Sequence, residues 1–208
     1  MQKMFRESRD LAVRHELDRL SPSSAISVGL AARAHLTELV DIARREIPGV
    51  NATEQGLAHF LQQDPESIFV FQRGGNLLGG IAFLYLNCRG HDALLLEEID
   101  LKNPSREFLA RSDEEASAIY VWALAAFGRA VVGLGNVAEY LRRPRFIDAD
   151  YFAQPATKAG RDLLKAIGFE PVSSFQPELW SYVRPWNRLP PNIQASNVPA
   201  RSFADARH

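Results

Sequence analysis

The spacing of apolar positions along the chain changes period several times, and each change marks an element. Ala25-Ile26-Ser27-Val28-Gly29-Leu30 reads as a short strand, and Leu36, Leu39, Val40, Ala43 and Ile47 then fall at the i, i+3, i+4 spacing of a core-facing helix. Pro48-Gly49 stops that helix. Thr53 opens a second one with Leu57, Phe60 and Leu61 on one side, and Asp64-Pro65 closes it. Ile68-Phe69-Val70-Phe71 predicts a buried strand, Arg73-Gly74-Gly75-Asn76 a hairpin turn, and residues 77–86 the returning strand. A third strand of this meander is predicted over 93–99, after a polar turn at Arg89-Gly90-His91-Asp92. Residues 102–115, charged and interrupted by Pro104, predict a loop or short helix.

The second half opens with a strand over Ala118 to Leu124, then Gly128, then helical positions at Val131, Leu134, Val137 and Leu141. Arg142-Arg143-Pro144-Arg145 ends this helix, because cations suit a helix C-terminus and proline cannot continue it; phosphate or RNA contact is the lesser reading of these arginines. Phe146 to Phe152 predicts another strand. Thr157 caps a helix bearing Ala159, Leu163, Leu164 and Ile167, which Gly168-Phe169 terminates, and residues 172–183 predict a final hairpin broken at Gln176-Pro177. Three regions result: an N-terminal helical extension over 1–24 ending in Ser21-Pro22-Ser23-Ser24, one domain over 25–183, and a Pro-rich tail over 184–208.

Composition narrows the partners. The chain has 208 residues, of which 46% are hydrophobic, enough for one sizeable core. Lys and Arg (24) nearly cancel Asp and Glu (25), so no global field draws the chain to nucleic acid or an anionic membrane. Cys88 is the lone cysteine, which excludes an intramolecular disulfide and fits a reducing cytosol. No apolar run approaches the roughly 20 residues of a membrane span, so a cytoplasmic protein is expected. The five histidines show no ligand-type pairing, so no metal site is expected. A homodimer built through the N-terminal segment is compatible with these features.

The candidate chemistry lies after the strand at 118–124. A buried strand running through Ala125-Ala126-Phe127-Gly128-Arg129-Ala130 into a helix presents free backbone N–H groups at a positive helix end, with small residues that let a diphosphate approach. Carboxylates that could serve as a general base stand at Glu97, Glu98 and Asp100, where strand alternation would put Glu98 and Asp100 on one face. Solvated or ion-paired roles compete for each of these, as core packing does for Tyr151 and Trp122.

The order strand, two helices, antiparallel meander, strand–glycine loop–helix, strand–helix–Gly168-Phe169 and final hairpin resembles the GNAT (N-acetyltransferase) superfamily over about residues 25–183. That resemblance implies an α+β fold with a mostly antiparallel central sheet flanked by helices, and an acyl-CoA cleft where two strands splay. It also implies acetyl-CoA as cosubstrate, with transfer to an amine acceptor. The family's Gln/Arg-x-x-Gly-x-Gly/Ala pattern falls on Ala125, Gly128 and Ala130, its first position lacking the polar side chain. The implied cofactor contacts are Trp122, Leu124, Ala125, Phe127, Gly128, Arg129 and Ala130, and the backbone of 121–124 would pair with the pantetheine arm. Many members carry a tyrosine acid four residues before the Gly of Gly-Phe; here that position is Leu164. Either Tyr151 or another group then replaces that acid, or the thiolate leaves unaided, or the chain is a catalytically silent acyl-CoA-binding or protein-interaction module.

Overall fold

The computed structural model describes residues 25–182, so the N-terminal extension, the end of the predicted domain and the tail lie outside the described residues. A seven-stranded sheet forms the centre, made of β1 (Ser27–Leu30), β2 (Ile68–Arg73), β3 (Asn76–Leu86), β4 (Ala118–Ala126), β5 (Asp150–Ala153), β6 (Phe169–Pro171) and β7 (Trp180–Tyr182). Its order is β1-β2-β3-β4-β5-β7-β6. Only β4 and β5 run parallel; the other neighbours are antiparallel. The β2–β3 turn pairs Arg73 with Asn76, and Gly74 and Gly75 both take positive φ (55° and 83°), the backbone that a two-residue hairpin of this hand requires.

Five α-helices accompany the sheet among the described residues: α1 (Leu36–Glu46), α2 (Glu54–Gln63), α3 (Cys88–Leu95), α4 (Leu134–Tyr140) and α5 (Lys158–Ala166). Thr53 and Thr157 cap α2 and α5 as expected, each hydroxyl accepting the N–H three residues on (Gly56 and Gly160). Leu36, Leu39, Val40, Leu57, Phe60 and Leu94 bring α1, α2 and α3 onto one face of the sheet. Val137, Leu141 and Phe146 cover the other together with Phe69, Phe71 and Phe83. The central strands are thus buried on both faces, and each fully buried Leu, Ile or Phe contributes about 1.5–3 kcal/mol. No helix among the described residues is long and apolar enough to cross a membrane.

Four sequence expectations change. The stretch 93–99 is not a strand: Asn87 caps α3 by accepting the Gly90 N–H at 2.9 Å, and the apolar run Ala93-Leu94-Leu95 is the end of that helix. Short apolar runs carry no period, and the cap outweighs β propensity here. The strand expected over 146–152 shrinks to Asp150–Ala153, and the helix after Gly128 begins as a 3-10 turn, Gly128–Gly133, before becoming α4. The first strand of the terminal hairpin is Phe169–Pro171, starting directly at Gly168, whose φ is +98°.

The arginines after α4 do more than end a helix. Arg143 pairs with Glu66 and stacks on Tyr140 at 3.9 Å, while Arg145, its side chain 12% exposed, reaches Asp64 and, at 3.2 Å, Glu66. Arg145 also donates to the carbonyls of Arg111 (3.0 Å) and Glu114 (3.2 Å), and the Tyr85 hydroxyl donates to the Glu66 carbonyl at 2.8 Å. This network joins the chain just before β2, the end of β3 and the approaches to β4 and β5. It locks one end of the sheet.

Candidate functional site

At the opposite end β4 is left open. It pairs with β3 along its length, from Ala118 opposite Leu86 to Ala126 opposite Gly79, but β5 matches it only from Ala118 to Val121. β5 stops because Pro155 removes a donor and restricts Gln154, and Thr157 then caps α5. Residues 122–126 of β4 therefore have no strand partner on the β5 side. Within this segment Trp122 is the extra residue of a β-bulge, since Ala82 faces Ala123 and Phe83 faces Val121. Its indole N–H donates to the Leu101 carbonyl at 2.8 Å, and its ring meets Phe60 edge-on at 4.9 Å.

Gly79 lets β3 follow this irregular strand: with φ +146°, a Cβ there would lie 2.1 Å from the Ala125 carbonyl oxygen. Beyond Ala126 the Phe127 N–H donates to Leu78 at 2.8 Å, and Gly128 turns the chain with φ +53°. Gly128 and Arg129 head the 3-10 turn, where their N–H groups have no upstream carbonyl within the helix. A Cβ on Gly128 would meet nothing within 4 Å, Arg129 is exposed, and Ala130 is fully buried. Arg45 of α1 stacks over the Phe127 ring at 4.8 Å, which adds a cation beside the loop that sequence spacing could not place. Ala125 is buried, and Trp122, Leu124 and Phe127 are half-buried along the same edge.

The carboxylates do not share a strand face. Glu98 and Asp100 lie exposed in the turns after α3, where Glu97 takes φ +60° and Asp100 accepts the Lys102 N–H at 2.9 Å. Asp100 nevertheless adjoins Leu101, the partner of Trp122, and so sits at the rim of the open edge. Tyr151 goes elsewhere: its hydroxyl approaches the Leu141 carbonyl at 3.5 Å, in the cluster with α4, and its ring meets Tyr182 edge-on. Leu164 is buried beside Phe169 and Trp180.

A polar pair missed in the sequence stands where β4 and β5 part. Tyr120 donates to Gln154 Oε1 at 2.6 Å, and Gln154 Nε2 donates to the Pro177 carbonyl at 2.6 Å. Burial pushes the Tyr120 pKa well up, so its hydroxyl stays protonated. Gln154, the first residue past β5, was the available signal, but nothing in the sequence ties it to Tyr120.

No family model matches the chain, and no curated protein matches it. Among solved structures, the loading GNATL domain of CurA from Lyngbya majuscula is 10% identical and aligns over 76% of this chain and 98% of that domain with a TM-score of 0.55. The fold is therefore of the GNAT type, as the order of elements predicts. The GphF GNAT-like decarboxylase in complex with isobutyryl-CoA (15% identity, 68% of this chain and 72% of that one, TM-score 0.49) falls just lower. So does Arabidopsis thaliana Naa50 in complex with a bisubstrate analogue (13%, 75% and 95%, 0.48).

Proposed function

We propose that this chain, built on the GNAT fold, binds acyl-coenzyme A along the open half of β4 and transfers the acyl group to an amine. The observation that carries this reading is the early end of β5, which leaves the backbone of 122–126 free beside a Gly128 loop of unpaired N–H groups. A pantetheine arm, itself a chain of amides, would satisfy those backbone groups as a missing strand would. The diphosphate would take the Gly128 and Arg129 N–H groups, with the Arg129 and Arg45 side chains on its flank. Trp122 and Phe127 on one face of the edge and Leu124 on the other stand beside the path between, with the buried Ala125 and Ala130 packed beneath it.

In the reaction the amine nitrogen attacks the thioester carbonyl carbon, the C–S bond breaks, and the thiolate takes a proton. A β4 N–H near the bulge polarises the carbonyl. Asp100, on the rim, or the nearby exposed Glu98 receives the proton lost from the acceptor ammonium. Tyr120 supplies the proton for the thiolate in preference to Tyr151, because its hydroxyl stands at the parting of the strands whereas that of Tyr151 turns to the Leu141 carbonyl. The second reading, an acyl-CoA binder without turnover, draws support from Leu164, an apolar buried side chain where many members of the family place a tyrosine.

The melting temperature of the full chain with acetyl-CoA, desulfo-CoA and longer acyl-CoAs, beside a Gly128→Glu variant, tests the cofactor site. Saturable stabilisation that the variant loses supports it, and the absence of any shift overturns it. Thiol release from acetyl-CoA with a panel of amines then separates enzyme from binder.

A further inference from the structure

The closed end of the sheet holds a cavity of about 400 Å³ that the proposed acyl transfer does not use. It lies beneath the segment 106–113, in the long connection between β3 and β4, away from the Gly128 loop. Sites of this volume accommodate small organic molecules. Phe60 of α2, Leu84 of β3 and Leu109 supply its apolar wall, and Ser67, Arg106 and Arg111 supply polar groups.

Ser67 sets this cavity apart from an ordinary gap. It is 3% exposed, and its hydroxyl has no hydrogen-bond partner. Its backbone is fixed on both sides, the N–H donating to the Asp64 carbonyl at 3.1 Å and the carbonyl accepting the Phe83 N–H at 2.7 Å. The side chain can turn about a single bond but cannot leave. A hydroxyl so placed costs about 1–3 kcal/mol unless something entering the cavity satisfies it.

The charges around it favour an anion. Asp64 is already committed, one carboxylate oxygen accepting the Glu66 N–H at 2.8 Å and the other meeting Arg145. Arg111 is anchored through its backbone, with its N–H on Glu114 and its carbonyl on Arg145, while among the described residues neither its guanidinium nor that of Arg106 joins an ion pair. Asp113 opposes them, and with Asp64 neutralised by Arg145 one positive charge is left in excess. We infer that this cavity binds a small organic carboxylate, its acid group held by Arg106 and Arg111, its apolar body against Phe60, Leu84 and Leu109, and the Ser67 hydroxyl bonded to a polar atom of the ligand. Free phosphate lacks the apolar body, and an alkylamine carries the wrong charge.

The full chain is titrated with benzoate and hexanoate, with inorganic phosphate and hexylamine as controls, and followed by melting temperature and by amide chemical shifts. One of the two acids is expected to give saturable stabilisation and shift changes centred on 106–113. The Arg106→Gln/Arg111→Gln double variant weakens it at least about tenfold, or roughly 1.4 kcal/mol. Ser67→Ala melts no lower than the parent without ligand, yet binds the acid more weakly. Stabilisation by acetyl-CoA persists in every variant, so failure here and failure of the cofactor site are separable. No saturable response to either acid up to about 10 mM overturns the inference, as does an equal response to hexylamine, a response to phosphate alone, or binding unchanged in the double variant.

Discussion

At Ala118, β4 has a strand on each side, and the segments around it are braced by Arg143 and Arg145 against Glu66 and Asp64; at Ala126 it has β3 alone, and the chain turns away through an exposed glycine. The same strand is thus closed at one end and open at the other. Backbone groups at the closed end bond to protein, so stability is concentrated there. Those at the open end wait for water or a ligand, and a site of this kind holds its geometry only because the rest of the sheet is immobile.

The sharpest way to break this comparison is to remove the brace. Arg145→Ala leaves the buried Asp64 carboxylate without its counter-charge and frees the carbonyls of Arg111 and Glu114. Breaking such a pair from one side costs about 3–5 kcal/mol, to be read from urea denaturation. A loss below about 1 kcal/mol would mean that the closed end is held by apolar packing alone.

Two glycines test the open end, and they should differ. Gly79→Ala pushes a methyl onto the Ala125 carbonyl, a clash with backbone that cannot rotate away, so a loss of about 2–3 kcal/mol is expected together with a weakened acetyl-CoA shift. Gly128→Ala meets open space, and only its φ of +53° is strained, at about 1 kcal/mol. Equal losses at the two positions would remove the distinction between a glycine required by packing and one required by conformation.

How far the fold was legible follows from the same contrast. Local signals held: the Gly74-Gly75 turn, the Thr53 and Thr157 caps, the Gly168 stop and the apolar run of β4 each act within a few residues. The stretch 93–99 failed because Leu94 and Leu95 suit a helix or a strand equally, and the deciding cap, Asn87, lies before the segment read as a turn. Contacts between distant segments were invisible. Arg145 with Asp64, Trp122 with Leu101, Tyr120 with Gln154 and Arg45 with Phe127 arise only once the sheet is assembled. The Gly128 loop was therefore readable as a candidate, whereas the polar groups around the strand opening were not.

The smallest expected effect lies in the acid limb of stability and concerns Glu66. Burial alone would raise its pKa, but hydrogen bonds from Arg143 and Tyr140 and the charges of Arg143 and Arg145 outweigh that and hold it below the ordinary 4.5. Between the folded and unfolded pKa values the unfolded chain binds more protons, so stability rises with pH across that interval. The contribution is complete above about pH 4.5 and is lost as pH falls through the lower, folded value. Glu66→Gln should cost about 1 kcal/mol or less at neutral pH, since the carboxylate is partly solvated, and should flatten the stability profile below pH 4.5. Urea midpoints of parent and variant, taken from neutral pH into that interval, should converge as the parent protonates. Parallel profiles would mean that the acid sensitivity of the closed end belongs to another carboxylate, with Asp64, the deeper partner of Arg145, the next to replace.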